Sequence, residues 1–243
     1  MIKPQPYTAS LKEKNVLNEN YVEYNFELVD IPLMPNLAGQ YVMIDVPNPE
    51  DESKPLKRAY SMTQRPDVEN SFGLLVAQRK AGVGVNYLNS LAMGEKINLV
   101  APLGQLVVDD ASSSEESELV FVATGAGIAP FRAMIADQLQ NKNDQRKITL
   151  YWGMRDPNDF FWLEDWASLQ RSWENFRVVL VASEPTHDWM FSRGRVNDCL
   201  IADGVVAGAG CYVCGGKEMV AGVVGLLRER FGVKEGNVHW ERF

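Results

Sequence analysis

Thr124-Gly125-Ala126-Gly127-Ile128-Ala129-Pro130 follows directly on an unbroken apolar run at 119–123. A run without polar alternation suits a strand covered on both faces, as in a parallel sheet. Pro130 suits the first turn of a helix, so the stretch reads as strand, glycine turn, helix. Gly125 and Gly127 let the backbone approach an anion, and the free N–H groups at the helix start attract negative charge. In that setting a G-x-G points to a nucleotide pyrophosphate, although a plain strand-to-helix turn has the same composition. Pro130 stands where the usual G-x-G-x-x-G has its third glycine. No acidic residue closes the second strand either, since Trp152 is followed by Gly153, Met154 and Arg155, so the ribose is handled differently from a standard dinucleotide dehydrogenase.

Downstream, further apolar runs at 148–152, 178–182, 211–214 and 238–240 alternate with helix-length segments. Stripes at helical spacing (Phe131, Met134, Ile135, Leu139; Trp162, Trp166, Leu169, Trp173; Met219, Val223, Leu226, Leu227) read as core packing against a sheet. The second half is therefore expected to be an α/β doubly wound parallel-sheet domain. Upstream the pattern changes. Val22, Tyr24, Phe26 and Leu28 alternate with polar neighbours, and similar bursts at 41–46, 72–79 and 96–100 are separated by Pro and Gly. This predicts an antiparallel sheet or small β-barrel, with helix only near 86–92. The stretch 109–118 carries one alanine and no other apolar residue, which makes it the best boundary. The expected division is 1–110, a linker at 111–118, and 119–243.

Composition narrows the function. The 243 residues are 46% hydrophobic and 23% charged, ordinary globular usage for a soluble chain of one or two domains. Lys and Arg number 24 against 32 Asp and Glu, a formal charge of −8, which disfavours nucleic acid. No apolar run long enough for a membrane span occurs and the first residues lack the order of an export signal, so the expected location is cytoplasmic. The three cysteines, Cys199, Cys211 and Cys214, are too few for a disulfide framework or an all-cysteine iron–sulfur cluster, and no metal site is expected. Cys211-Tyr212-Val213-Cys214 has C-x-x-C spacing but lies in an apolar stretch without a second Cys/His pair, which favours plain core residues.

In the β half, Arg58-Ala59-Tyr60-Ser61 joins a guanidinium, a ring and a hydroxyl within one short strand. Alternation puts Arg58 and Tyr60 on one face and Ser61 on the other. Together the motifs resemble the ferredoxin-NADP reductase superfamily, the flavoprotein pyridine-nucleotide reductases that include oxygenase reductase components. The resemblance runs in order through nearly the whole chain: 37–42 is similar to P-G-Q-Y with Ala38 departing, 58–61 to R-x-Y-[S/T], 125–130 to G-x-G-I-A-P, 151–155 to a G-x-R strand end, 214–219 to C-G-P-x-x-M with Gly216 for proline, and 238–243 to a closing E-x-F.

The resemblance implies an FAD-binding β-barrel followed by an NAD(P)-binding domain, with hydride passing from NADPH or NADH to flavin N5. It places Arg58 on the FAD pyrophosphate, Tyr60 and Phe243 on the isoalloxazine, and Ser61 near its N5. Ala59, Gly82, Gly84, Val85 and Asn86 complete the flavin set, with Val85 replacing a usual Ser or Thr. Thr124, Gly125, Gly127, Gly153, Arg155, Ser183, Arg193, Arg195, Gly215 and Met219 fall to the nicotinamide nucleotide. Cys214 and Glu241, with Ser61, are its catalytic candidates; a buried cysteine and an exposed carboxylate are the bland alternatives for Cys214 and Glu241. Glu184 disfavours a 2′-phosphate, whereas Arg155, Arg193 and Arg195 favour it, and three guanidiniums against one carboxylate tip the expectation to NADPH. The expected partner is a separate soluble electron carrier, a ferredoxin, flavodoxin or oxygenase component, served by a monomer. The rivals are an NADH-dependent oxygenase reductase component, a free-flavin or quinone reductase, and a non-catalytic nucleotide-binding subunit of a larger redox complex.

Overall fold

The computed structural model describes residues 2–29, 31, 33–51, 53–79, 82–108 and 115–243. Positions 111–114 of the expected linker lie outside the described residues. In the first unit, β1 (Gln5–Asn18), β2 (Tyr21–Leu28), β3 (Tyr41–Val46), β4 (Leu56–Ser61), β5 (Ser71–Ala77) and β6 (Lys96–Leu103) form one sheet in the order β4-β3-β6-β1-β2-β5. Every pairing is antiparallel. A Met62↔Leu74 bridge draws the two edges together into a half-barrel. Its interior is filled by the inward-facing sets that alternation predicts, among them Tyr24, Phe26, Val42 and Ile44.

Two features differ from the sequence expectation. The helix α1 runs Val83–Ser90 rather than 86–92, because Gly82 takes an extended N-cap conformation (φ −121°, ψ 165°) and Leu91 (φ −57°, ψ 131°) ends it. Strand β5 buries Phe72 through Val76 without alternation. One of its faces looks into the barrel, while Leu75, with Tyr21 of β2, joins the core of the second unit.

The second unit is a parallel sheet of β7 (Glu118–Thr124), β8 (Lys147–Met154), β9 (Phe176–Ala182), β10 (Ser192–Arg193), β11 (Gly210–Gly215) and β12 (Val238–Arg242), ordered β10-β9-β8-β7-β11-β12. The two-residue β10 was not anticipated, being too short to carry a pattern. Helices α2 (Ile128–Ala136) and α3 (Leu163–Ser172) cover one face, and α4 (Val196–Asp203) and α5 (Lys217–Gly225) the other. Phe131, Met134, Ile135 and Leu139 are all buried, as their stripe predicts. The tryptophan stripe is only partly helical: Trp162 is a left-handed N-cap (φ 53°) and Trp173 the C-cap of α3.

Strand order reverses at β7, which has β8 on one side and β11 on the other. The crevice beyond the carboxyl ends of β7 and β11 is where an open parallel sheet takes ligands. The units meet there over apolar and polar contacts. Glu23 of β2, buried at 4% exposure, accepts from Thr63 Oγ1 at 2.7 Å and from Arg132 of α2 at 2.9 Å. Removing Arg132 would strand that carboxylate, a loss on the order of 3 kcal/mol.

Candidate functional site

Two adjoining cavities occupy the crevice. The larger, about 890 Å³, is walled by strand ends of the second unit, and Thr124, Gly125, Gly153, Arg155, Ser183, Arg195 and Met219 all line it. The smaller, about 480 Å³, lies between the units and is lined by Ala59, Tyr60 and Ser61 of β4, Val85 of α1, Cys214 of β11, and Glu241 and Phe243 at the C-terminal strand. The glycine turn is the partition. Gly125 faces the larger space and Ala126 the smaller, and on β11 Cys214 faces the smaller space while nearby Gly216 faces the larger.

Local backbone chemistry builds this partition. Gly125 has φ +56°, a left-handed conformation that a side chain disfavours. Gly127 is ordinary in conformation but packed tightly: a β-carbon there would lie 2.1 Å from the Cys214 carbonyl oxygen. Gly82 at the head of α1 supplies no side-chain cap, so the first N–H groups of that helix are left for an anion. A 3-10 turn (Gly125–Gly127) leads into α2, where the Ile128 N–H is taken by the Gly125 and Ala126 carbonyls and Pro130 has none, so the donors on that side are those that open the turn. Arg58 and Tyr60 share a face, as alternation predicts. Both pack on Gly84, where a β-carbon would meet the Tyr60 hydroxyl at 2.6 Å and Arg58 Cγ at 3.1 Å.

Several sequence candidates stand outside the cavity walls. Arg58, Gly82, Gly84 and Asn86 are not among the lining residues of the smaller space. Gly127 and Gly215 act through packing; a β-carbon on Gly215 would lie 2.4 Å from Thr124 Oγ1 and 2.5 Å from Met219 Cε. Arg193 turns away from the larger cavity, donating to the carbonyl oxygens of Thr186, His187 and Trp189 at 3.1, 3.0 and 3.0 Å. Arg155 pairs with Glu184 (3.1 Å). Counting three guanidiniums against one carboxylate therefore does not describe this wall: one closes its own loop, one is paired with that carboxylate, and Arg195 remains on the cavity.

Burial sets the charge states. The Cys214 thiol is pushed up to about 12, first by burial and then by the nearby Glu241 carboxylate, so it is a neutral S–H at physiological pH. Cys211 and Cys214 enter different cores on opposite faces of β11, which no dithiol or shared ligand role permits. Burial raises the Glu241 carboxyl above its ordinary value, against the opposing pull of the Leu106 and Gln105 amides of the first unit.

Sequence reasoning missed Tyr41 in the smaller cavity and Tyr21, Arg79, Asp159, Asn197 and Lys217 in the larger. Asn197 and Lys217 were findable, because both begin helices that follow glycine-bearing turns. Tyr21 and Arg79 come from the other unit and carry no local signal.

The halves match known families separately. Residues 8–108 match the profile described as oxidoreductase FAD-binding domain, and 121–225 that described as oxidoreductase NAD-binding domain. The chain is 30% identical to ferredoxin–NADP reductase B of Sorangium cellulosum over 251 residues, covering 100% of both. It is 31% identical over 208 residues to the F subunit of the Na(+)-translocating NADH-quinone reductase of Yersinia pestis, covering 79% of this chain and 50% of that one, so it spans about half the length of such relatives. The fold is that of an Amycolatopsis cytochrome P450 reductase, with TM-score 0.90 and 24% identity over 100% of this chain and 71% of that one. It is also that of a Plasmodium falciparum ferredoxin-NADP+ reductase, with TM-score 0.79 and 19% identity over 98% and 96% of the respective chains. With both profiles in order and a full-length relative, the chain belongs to the ferredoxin–NADP reductase family of FAD- and NAD(P)-binding oxidoreductases.

Proposed function

We propose that the protein takes a hydride from NAD(P)H and passes electrons singly to a separate carrier protein, a ferredoxin, a flavodoxin or an oxygenase component. The observation that carries this reading is the pair of cavities on the two sides of the glycine turn, the smaller bordered by Val85 of α1 and by Ala59, Tyr60 and Ser61, the larger by Thr124, Gly125 and the first residues of α4 and α5. The residues fit the cofactors. Tyr60 and Phe243 offer rings to the smaller cavity, Arg58 and the head of α1 offer donors near it, and Gly84 lets Tyr60 and Arg58 pack closely on that helix. Val85 contributes no hydroxyl, so one phosphate bond, worth on the order of 1 kcal/mol, is left to backbone amides.

Bound FAD supplies the chemistry, accepting two electrons with a hydride and releasing them one at a time. The chain's own part is to position and to exclude water. Tyr60 would lie against the flavin ring and Ser61 would offer its hydroxyl toward the reactive edge, both from the wall of the smaller cavity. The glycine turn, with the first residues of α5, holds the dinucleotide pyrophosphate on the other side of the partition. Cys214, a neutral thiol, and Glu241 border the space where the two rings meet and hold the nicotinamide there. Ser183, Arg195 and Lys217 face the ribose-phosphate end. The three cysteines are free and too few to hold an all-cysteine iron–sulfur cluster, which supports a separate carrier as the acceptor. Among the described residues no helix is long and apolar enough to cross a membrane.

The test is turnover with NADH and NADPH against ferredoxin, flavodoxin, free flavin and a quinone, using protein whose flavin content has been measured. Electron delivery to a protein carrier at rates well above those to free flavin or quinone supports the reading. Purified protein that binds no FAD, or bleaches with neither nucleotide, overturns it. Arg58→Ala should lose FAD on gel filtration, and full retention would refute the role of Arg58.

A further inference from the structure

One polar cluster in the wall of the larger cavity has no part in the turnover just described. Asp159 ends a short 3-10 turn after β8 (Pro157–Asp159), and its side chain is only 5% exposed. It accepts from Asn20 Nδ2 at 2.7 Å and from the guanidinium of Arg79, while Asn18 Nδ2 reaches its carbonyl oxygen at 3.0 Å. All three donors belong to the first unit, so a buried carboxylate of one half is closed by side chains of the other. Arg79 stays 41% exposed on its outer side. One of its nitrogens is engaged with Asp159, and a guanidinium has five N–H donors to offer.

The cluster lies beside the glycine turn. Tyr21, Arg79 and Asp159 line the larger cavity together with Thr124 and Gly125. The Tyr21 hydroxyl donates to Met154 Sδ at 3.7 Å and lies 3.2 Å from where a β-carbon of Gly125 would be. Burial, then Asp159, raise the Tyr21 hydroxyl to about 12 against the opposing effect of Arg79, which puts both charges within electrostatic reach of the turn. A planar fork pinned from behind by a carboxylate and open in front is a pre-ordered anion contact.

We propose that Arg79 is a dinucleotide-positioning residue lent by the FAD-binding half: held in place by Asp159, it donates to the pyrophosphate seated on the Gly125 turn, so the grip on the nucleotide is completed across the boundary between the units. The inference rests on the reading that the larger cavity takes the dinucleotide. It ties nucleotide placement to flavin placement, because the same arginine that touches the nucleotide is anchored on the strand end leaving the flavin-binding half.

The test is calorimetric titration of the FAD-loaded protein with ADP-ribose, which carries the pyrophosphate but no reactive ring, across a range of salt concentrations. Wild type that binds no ADP-ribose refutes the cavity reading itself. Given wild-type binding, Arg79→Gln should weaken it by about tenfold and flatten its salt dependence. Arg79→Lys, which keeps the charge and the pairing with Asp159, should restore part of the loss. Asp159→Asn keeps the Arg79 charge but loosens its hold, and should weaken ADP-ribose binding less than Arg79→Gln does while keeping the wild-type salt dependence. Affinity of Arg79→Gln within twofold of wild type overturns the proposal. Parallel loss in Arg79→Gln and Asp159→Asn, with unchanged salt dependence, also overturns it, because a purely structural clasp fails the same way from either side.

Discussion

A β-carbon added at Gly127 would lie 2.1 Å from the carbonyl oxygen of Cys214, 2.6 Å from its carbonyl carbon and 3.0 Å from Cα of Gly215. All three are backbone atoms of β11, so no side-chain rotation relieves the overlap. Reaching an ordinary contact of about 3.5 Å requires the turn and the strand to part by roughly 1.4 Å. Gly127 sits at φ −61°, ψ −9°, a conformation alanine adopts freely, and the whole effect is therefore steric. Overpacking of this kind costs about 1–3 kcal/mol, which lowers the melting temperature of a chain of this size by about 2–12 °C. The functional cost is larger, because the displaced atoms are the partition between the two cavities. A reacting geometry misplaced by roughly 1 Å loses on the order of a hundredfold in rate. Gly127→Ala should therefore melt early and, below its melting range, show flavin bleaching by NADPH or NADH slowed by about two orders of magnitude in anaerobic rapid mixing. Gly225→Ala in α5 is the matched control, since a β-carbon there meets nothing within 4 Å and the residue lines neither cavity. If Gly127→Ala melts within about 1 °C of wild type and bleaches at the wild-type rate, the close turn-to-strand contact does not set the site.

Three further outcomes follow from the electrostatics. Burial works to raise the Asp203 carboxyl, but its bonds with Tyr151 and Arg177 outweigh that and hold it below the usual range. A depressed native value stabilises above the unfolded value and is lost as pH falls, so Asp203→Asn should melt earlier at neutral pH, with the gap closing below about pH 4; a gap independent of pH refutes the pairing. Cys211 and Cys214 are buried and Cys199 partly so, so a disulfide-exchange reagent at about pH 8 should titrate at most one thiol in the native protein and all three after unfolding; rapid reaction of two or more would show the β11 end to be open. Glu184 is paired with Arg155, and both are well exposed, so Glu184→Gln frees that guanidinium and should raise the NADPH-to-NADH ratio of kcat/KM by about two- to fivefold; an unchanged ratio removes the pair from specificity.

Local pattern carried most of the architecture. The apolar runs at 119–123 and 211–214 and the alternation through Val22 to Leu28 became strands, with Tyr24, Phe26 and Leu28 inside the barrel, because each is set by which neighbours a short segment can bury, although Tyr21 and Glu23 on the other face of β2 are buried by the second unit. The same logic failed at Phe72 to Val76, buried on both faces by a unit distant in sequence. It failed also at Trp162, whose helical spacing ends in a left-handed N-cap beneath Arg132, the guanidinium carbon 4.1 Å from the ring centre.

Residue type and spacing by themselves determined the order of the two units, the glycine turn and the short R-x-Y-S strand, because turns, helix starts and strand faces depend on neighbours a few positions away. Only the tertiary structure decided which charges face the cavity. Arg193 was spent on the carbonyls of its own loop, Arg155 was matched to Glu184, and Arg79 and Tyr21 were brought from the first unit to the wall of the second. A guanidinium reaches several ångströms from its backbone and takes whichever acceptor the assembled fold puts within that reach, and that choice is written in no single segment of the chain.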